Sequence, residues 1–337
     1  MPKTLKNKYY KNLTYEKLMQ AHIKSRKGKG NRKEIIMFNL KQEEYIMWLL
    51  EELKNKTYKH GGYTTFYVTE PKLRKIEKSR YIDRIVHRWL VDNFLEPAFI
   101  PQLINTTYAC IKNRGMHKAC LDVQKAMRKC KNKWGNYYIL KMDIAKYFDN
   151  INKKILLKII ERKIKDKNIL WLIKEILYVQ KREKGLEIGN YTSQIFANIY
   201  LNEIDQYIKH KLKIRYYFRY MDDSTLFLQT KREAIEALKK IKEYLKENLE
   251  LELNKKTQIF KDKQGVNFCG YKINENRLKI RDKGKRKLKK KVKKLKQQIK
   301  EEKITSKEAY KYLAGHMGYI EIADTYMLEK SLFYTEE

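Results

Sequence analysis

The chain has 337 residues, 77 Lys and Arg against 40 Asp and Glu, a formal net charge of +37, and 42% apolar residues. That length exceeds one small domain and falls short of a large multidomain assembly, so two or three subdomains around a shared cleft fit it. So large a cationic excess repels itself in a compact fold and calls for a polyanion, nucleic acid first, because phosphate contacts release counterions. No run of about 18 apolar residues exists, which excludes a membrane-spanning helix. The N-terminal MPKTLKNKYYKNLTYEK lacks the apolar stretch of a secretory signal. Cys110, Cys120, Cys130 and Cys269 form no CxxC pair and have no His at zinc-ligand spacing. They read as reduced thiols, and a cytoplasmic protein is expected.

In chain order, residues 1–34 are basic and end in the Gly-punctuated loop SRKGKGNRK. Tyr45, Trp48, Leu49 and Leu53 predict a helix over 41–55. Gly61-Gly62 introduces the alternating pattern YTTFYVTE, and LRKIEKSR beyond Pro71 reads as the returning strand. Residues 81–96 predict an amphipathic helix stopped by Pro97. MHKACLDVQKAMRKC predicts another helix, and WGNYYILKMDIAKYF a strand running into a turn. Residues 153–178 read as helical, with Ile155, Ile159, Ile169, Leu172 and Ile176 on the apolar side. Gly185 and Gly189 bracket a loop before the long helix SQIFANIYLNEIDQYIK. RYYFRYMDDSTLFLQT predicts a hairpin with an acidic turn, 231–248 a helix, and the regions of LELN and FCGYKI strands. From Lys283 onward, Leu288, Val292, Leu295 and Ile299 form one apolar stripe on an otherwise cationic helix. Such a helix lies on a membrane, pairs in a coiled coil or tracks nucleic acid. With no other membrane signal, nucleic acid or a mixed role is favoured over a solvated helix packed by its one stripe.

Phosphoryl transfer between nucleotides needs metal ions that neutralise the attacking oxygen and the leaving phosphate. Mg²⁺ takes hard oxygen ligands, so two or three carboxylates held rigidly at strand ends suffice. Two places offer them. Asp143 follows the apolar strand YYIL in LKMDIAKYFDNI, and Asp222 and Asp223 occupy the turn of YMDDSTLFL. Two adjacent Asp in an apolar hairpin repel each other and add nothing to a core.

RYMDDSTLF resembles the YxDD motif of reverse transcriptases, and LKMDIAKYFDNI resembles their first catalytic motif. GLEIGNYTSQIFANIYLNEID is similar to the motif between them, and FCGYKI to the primer-grip hairpin. KLRKIEKSRYIDRIVHRWLVDNFLEPAF and NTTYACIKNRGMHKA resemble the fingers of bacterial, group II intron-like enzymes. The likeness runs from about residue 60 to the end. IGNYTSQ further resembles the loop of reverse transcriptases from diversity-generating retroelements. Retroviral, retron and most intron enzymes carry Gln before that Gly and Pro after that Ser, where this chain has Ile188 and Gln194. Glu187 is a departure, since the family usually has Pro there.

The resemblance implies an α+β, right-hand polymerase fold with an antiparallel palm sheet and a helical thumb. Residues 1–135 would be an N-terminal extension and fingers, 136–282 the palm with a fingers segment inserted at about 153–185, and 283–337 the thumb. Asp143, Asp222 and Asp223 would be catalytic and bind two Mg²⁺, with Mn²⁺ as a substitute and the carbonyl of Ile144 as an extra ligand. Lys72, Arg74, Phe148, Ile188, Gly189 and Gln194 would form the nucleotide pocket, Phe148 as the steric gate against a ribose 2′-OH. Lys285, Arg286, Lys289, Lys290 and Lys293 would hold nucleic acid, while Asp149 and Asp83 read as structural. The implied partners are template RNA, a primer, dNTPs and a small basic accessory protein. The implied activity is error-prone copying of a template-repeat RNA. Another bacterial reverse transcriptase, intron-derived or for phage defence, and a non-catalytic RNA-binding scaffold are the competing readings.

Overall fold

The computed structural model describes residues 4–69 and 73–333. Lys72 lies outside the described residues. The chain divides into two compact units, and the backbone passes between them more than once. The first comprises Met1–Asn105, Ile144–Lys211 and Ile241–Glu252, and the second Thr106–Asp143, Leu212–Lys240 and Leu253–Glu337.

The first unit is mainly helical. The basic N-terminal stretch, read from sequence only as ending in a loop, forms helices Tyr9–Asn12 and Tyr15–Arg26, the latter capped by Thr14. The loop is confined to the residues before the helix Lys33–Leu40. The expected helix over 41–55 is present as Gln42–Asn55. Strands β1 (Tyr63–Val68) and β2 (Arg74–Ser79) pair antiparallel as a hairpin. Pro97 does not stop the helix that begins at Tyr81. Tyr81–Leu90 passes through a widened π turn, Val91–Leu95, into Glu96–Phe99, so the proline falls in the first turn of a re-phased segment. There its missing N–H costs little. The stretch expected to be helical over 153–178 is two helices, Lys153–Lys163 and Lys167–Leu177.

The break between those helices has a use. The Asp166 carboxylate caps the second helix through the N–H groups of Asn168 and Ile169. Its other oxygen accepts from the N–H groups of Lys8 and Tyr9, and Leu5 forms a parallel bridge with Ile164. The expected long helix is present as Tyr191–Gln206, with 11 of its 16 residues buried.

The second unit is built on a four-stranded antiparallel sheet. Its strands are β3 (Tyr138–Asp143), β4 (Tyr216–Tyr220), β5 (Asp223–Leu228) and β6 (Gln258–Lys261), in the order β4-β5-β3-β6. The β4 edge is covered by a short segment, with Thr107 bridging Arg219, which blunts an otherwise open strand edge. The segment LELN is not the expected strand. Its backbone instead bonds to the end of β3: Asn254 N–H donates to the Asp143 carbonyl at 2.7 Å.

FCGYKI does form a hairpin, inside a three-stranded sheet of β7 (Val266–Phe268), β8 (Tyr271–Ile273) and β9 (Leu278–Ile280). Its two-residue turn puts both Cys269 (φ 48°) and Gly270 (φ 88°) in the left-handed region, the geometry that matches strand twist. Helix Met116–Trp134 packs its buried Cys120, Val123 and Met127 into the same core as Phe268 and Tyr271. Helices Asp282–Lys300, Ser306–Ile320 and Tyr326–Phe333 complete the unit. Leu288, Val292 and Leu295 of the basic helix are buried in that core, and Ile299 packs against it.

Candidate active site

The period of two along β3 puts Lys141 and Asp143 on one face. Antiparallel pairing sets Asp143 opposite Asp223, and Tyr220 opposite Asp223 on the other side. The link between β4 and β5 is therefore the two residues Met221 and Asp222. Met221 sits at φ 54°, left-handed without being glycine, and a two-residue hairpin demands such a residue. The buried guanidinium of Arg219 donates to the Met221 carbonyl at 3.1 Å and braces the turn. Register alone thus brings the three predicted carboxylates to one end of one sheet.

Their electrostatics are set by burial and by two cations. Burial pushes the Asp223 carboxyl above the ordinary carboxylate range, Lys141 opposes this, Asp143 adds to it, and Arg281 opposes it. The Lys141 ammonium forms an ion pair with Asp223 and lies 4.6 Å from the centre of the Phe268 ring. Asp143 accepts a 3.1 Å hydrogen bond from the Asn254 amide. Lys141, Arg219 and Asn254 were not singled out from sequence. The spacing of Lys141 from Asp143 is the signal that was there to be used.

The donor set suits a hard divalent cation in kind: clustered carboxylate oxygens, one of them so placed that it draws a lysine ammonium. As the side chains stand, no three His, Cys, Asp or Glu among the described residues are close enough together to hold an ion. Asp223 is engaged by Lys141 instead.

The residues expected around a nucleotide lie in the first unit. Phe148 is half-buried and its carbonyl accepts from Leu186 N–H at 2.8 Å. The Ile188 carbonyl accepts from Glu77 N–H of β2 at 3.0 Å. Gly189 has φ 121°, a backbone conformation that favours glycine, and a Cβ there would lie 3.1 Å from Ile76 Cγ2, a tight contact. Gln194 is half-buried in the first turns of Tyr191–Gln206, and Arg74 is exposed at the start of β2. Backbone bonds therefore join Phe148, the Ile188 loop and the Arg74 strand. Ile144 is buried. Asp83 accepts from Tyr58 Oη at 2.6 Å and from Gly61 N–H at 3.2 Å, as a structural carboxylate would.

In the second unit, Arg286, Lys289, Lys290 and Lys293 are exposed on the basic helix and Lys285 is half-buried. Lys285 and Lys289, with Arg277 and Lys279, line a cleft of about 1240 Å³. Tyr310, Tyr312 and Tyr326 are exposed on the two helices that follow. Cations interleaved with aromatic faces suit a nucleic-acid backbone and its bases. No helix among the described residues is long and apolar enough to cross a membrane.

Comparison with known proteins agrees with these features. Protein YkfC of Escherichia coli K12 is 24% identical, the match covering 60% of this chain and 63% of that protein. The group II intron-encoded protein LtrA of Lactococcus lactis is 26% identical over 52% of this chain and 30% of its own length. The chain thus spans less than two thirds of the relatives it matches. A structure of telomerase from Candida albicans with a fragment of telomeric RNA aligns with a TM-score of 0.49 at 13% identity, covering 71% of this chain and 49% of that one. The family described as reverse transcriptase (RNA-dependent DNA polymerase) matches residues 59–273, a span that holds all three aspartates, the glycine loop and the FCGYKI hairpin. With an α+β architecture and an antiparallel sheet as the right-hand polymerase fold requires, this chain belongs to the reverse transcriptase family.

Proposed function

We propose that the chain is an RNA-directed DNA polymerase using two-metal phosphoryl transfer, and that it makes error-prone cDNA in a diversity-generating retroelement. The observation that carries the polymerase reading is the register pairing of Asp143 with Asp223, beside Asp222 in a two-residue turn. Asp143, Asp222 and Asp223, with the Ile144 carbonyl, would hold two Mg²⁺. The ions supply charge neutralisation for the attacking 3′-oxygen and the leaving pyrophosphate. The strand ends keep the carboxylates fixed, so little reorganisation is needed as charge develops. Burial raises the Asp223 pKa and Lys141 opposes that rise. Arg74 and Lys72 would bind the triphosphate, Phe148 would exclude ribonucleotides, and Ile188, Gly189 and Gln194 would line the pocket. Residues 1–135 act as extension and fingers, 136–282 as palm and 283–337 as thumb.

Replacing Asp222 and Asp223 together with Asn removes nearly all metal-dependent dNTP incorporation on an RNA template while binding to the template–primer persists. Undiminished synthesis by that folded variant overturns the assignment. The subgroup rests on Ile188 and Gln194 in the glycine loop. An intron-derived enzyme is the second reading, favoured by the similarity to LtrA. Paired near-identical repeats next to the gene, differing mainly at adenines, support the first; flanking intron RNA structure supports the second.

A further inference from the structure

Glu187 stands where the family usually has proline, and it is buried. A buried carboxylate is costly unless cations face it, and here two do. The Arg182 guanidinium lies 3.3 Å from Glu187 and 3.1 Å from Glu77 of β2, so one side chain bridges two carboxylates. The fully buried Lys153 ammonium lies 3.8 Å from the same Glu187 oxygen, Oε1. Glu77 also accepts from the Gln180 amide at 2.6 Å and from Lys75 at 2.9 Å.

These side chains surround the segment whose backbone joins the nucleotide-side candidates. Leu186 N–H donates to Phe148, Gly185 N–H to Ile151 at 2.9 Å, and Glu77 N–H to Ile188. On the β2 side the loop is held by the main-chain bond from Glu77 N–H to the Ile188 carbonyl. The ionic group around Glu187 reinforces it, and Gly189 lets the loop lie flat against Ile76. Proline would stiffen the loop through its ring but offer no partner to Arg182 or Lys153.

We propose that Glu187 is a positioning residue: with Arg182, Lys153 and Glu77 it clamps the 185–189 loop to β2 and so sets how tightly the incoming dNTP is held. The proposal rests on the polymerase reading above. Glu187 touches no reacting atom; it acts through Ile188 and through the strand that carries Arg74.

The test compares parent protein, Glu187→Gln and Arg182→Gln in single-nucleotide incorporation, with hydrogen exchange at the Glu77 amide measured without nucleotide. Each variant is expected to raise the dNTP KM about tenfold with kcat within about twofold, the signature of lost uniform binding. The double variant should be no worse than either single one, since both open the same clamp. Glu77 amide exchange should quicken in all three. Adding Lys153→Met to Glu187→Gln removes the buried ammonium, which also donates to the Leu177 and Gln180 carbonyls, and is expected to leave KM raised. If Glu187→Gln does not fold, Arg182→Gln, whose side chain is partly exposed, carries the test. Folded variants with parental KM, or with unchanged exchange at Glu77, overturn the clamp. A parent that incorporates no dNTP overturns the polymerase reading instead, and the exchange measurement then decides whether the clamp exists.

Discussion

Ile188 and Phe148 are the residues where the proposed nucleotide pocket is expected to differ from, and to agree with, that of the family. Most related polymerases have Gln at the Ile188 position, with an amide to orient the nucleotide. Isoleucine offers neither donor nor acceptor. Its side chain is half-exposed in the structure, so a nucleotide has something to meet. Ile188→Gln is expected to lower misincorporation, most of all opposite adenine, by about tenfold, the effect of about 1.4 kcal/mol of discrimination. Misincorporation measured opposite each template base checks this, and an unchanged error spectrum in an active variant removes the mechanistic case for the retroelement subgroup. Phe148 holds its backbone to Leu186 and its ring beside Tyr147, with ring centres 5.6 Å apart. Phe148→Val is expected to raise rNTP use relative to dNTP by at least about tenfold, again about 1.4 kcal/mol. Single-nucleotide kinetics with the parental sugar preference would mark the ring as core packing.

At the scale of elements, the basic helix Asp282–Lys300 buries one narrow stripe and leaves Arg286, Lys289, Lys290 and Lys293 in solvent. Lysines on an exposed face contact phosphate and carry no base code. Changing Lys289, Lys290 and Lys293 to Gln is expected to weaken template–primer binding alike for all sequences. It should also flatten the log–log salt dependence by roughly 0.7–0.9 per lost contact. A slope equal to the parent's places this face on a protein partner. This helix was legible in the sequence because its stripe is narrow and its other residues are uniformly charged. So was the acidic hairpin, because alternation in YYFRY and STLFL leaves the turn nowhere else to fall. What sequence did not yield has physical reasons. Two adjacent helices with a shared apolar side read as one, since the Asp166 break keeps the phase and shows itself only through capping. Pro97 read as a stop because a π turn ahead of it leaves no composition signal. The ionic group around Glu187 joins residues that are far apart in the chain, and Arg, Lys and Glu are too common here to mark it.

For the whole molecule, buried histidines give stability a dependence on acidity. Burial lowers the pKa values of His22 and His60 below the ordinary imidazole value, and that of His87 to about 3. His87 is fully buried, its Nδ1 3.2 Å from Thr192 Oγ1 and its ring 5.2 Å from that of His60. The unfolded chain protonates these rings near pH 6.5, while the folded protein takes up those protons only at lower pH. The unfolded state therefore binds more protons, and stability falls as pH drops from about 6.5 toward the folded values. Each such histidine contributes up to about 1.4 kcal/mol per pH unit within that window. Glu187 and Asp223, raised by burial, act in the opposite sense. A comparison of parent and His87→Gln isolates the histidine part. Urea unfolding between pH 7.5 and 5 is expected to show a shallower fall in the variant, and equal slopes would show that His87 titrates normally.

The contacts of Asp166 with Lys8 and Tyr9 span 158 and 157 residues of chain. On a ribosome adding about 5–20 residues per second, the first helix is complete roughly 8–30 seconds before its carboxylate partner has been made. During that interval Tyr9, Trp89 and Phe94 can meet, because residues 81–99 emerge early, but the N–H groups of Lys8 and Tyr9 must be served by water. The order of synthesis thus lets the N-terminal segment be seated first by Leu53, Trp89 and Phe94 and have its backbone capped by Asp166 only later.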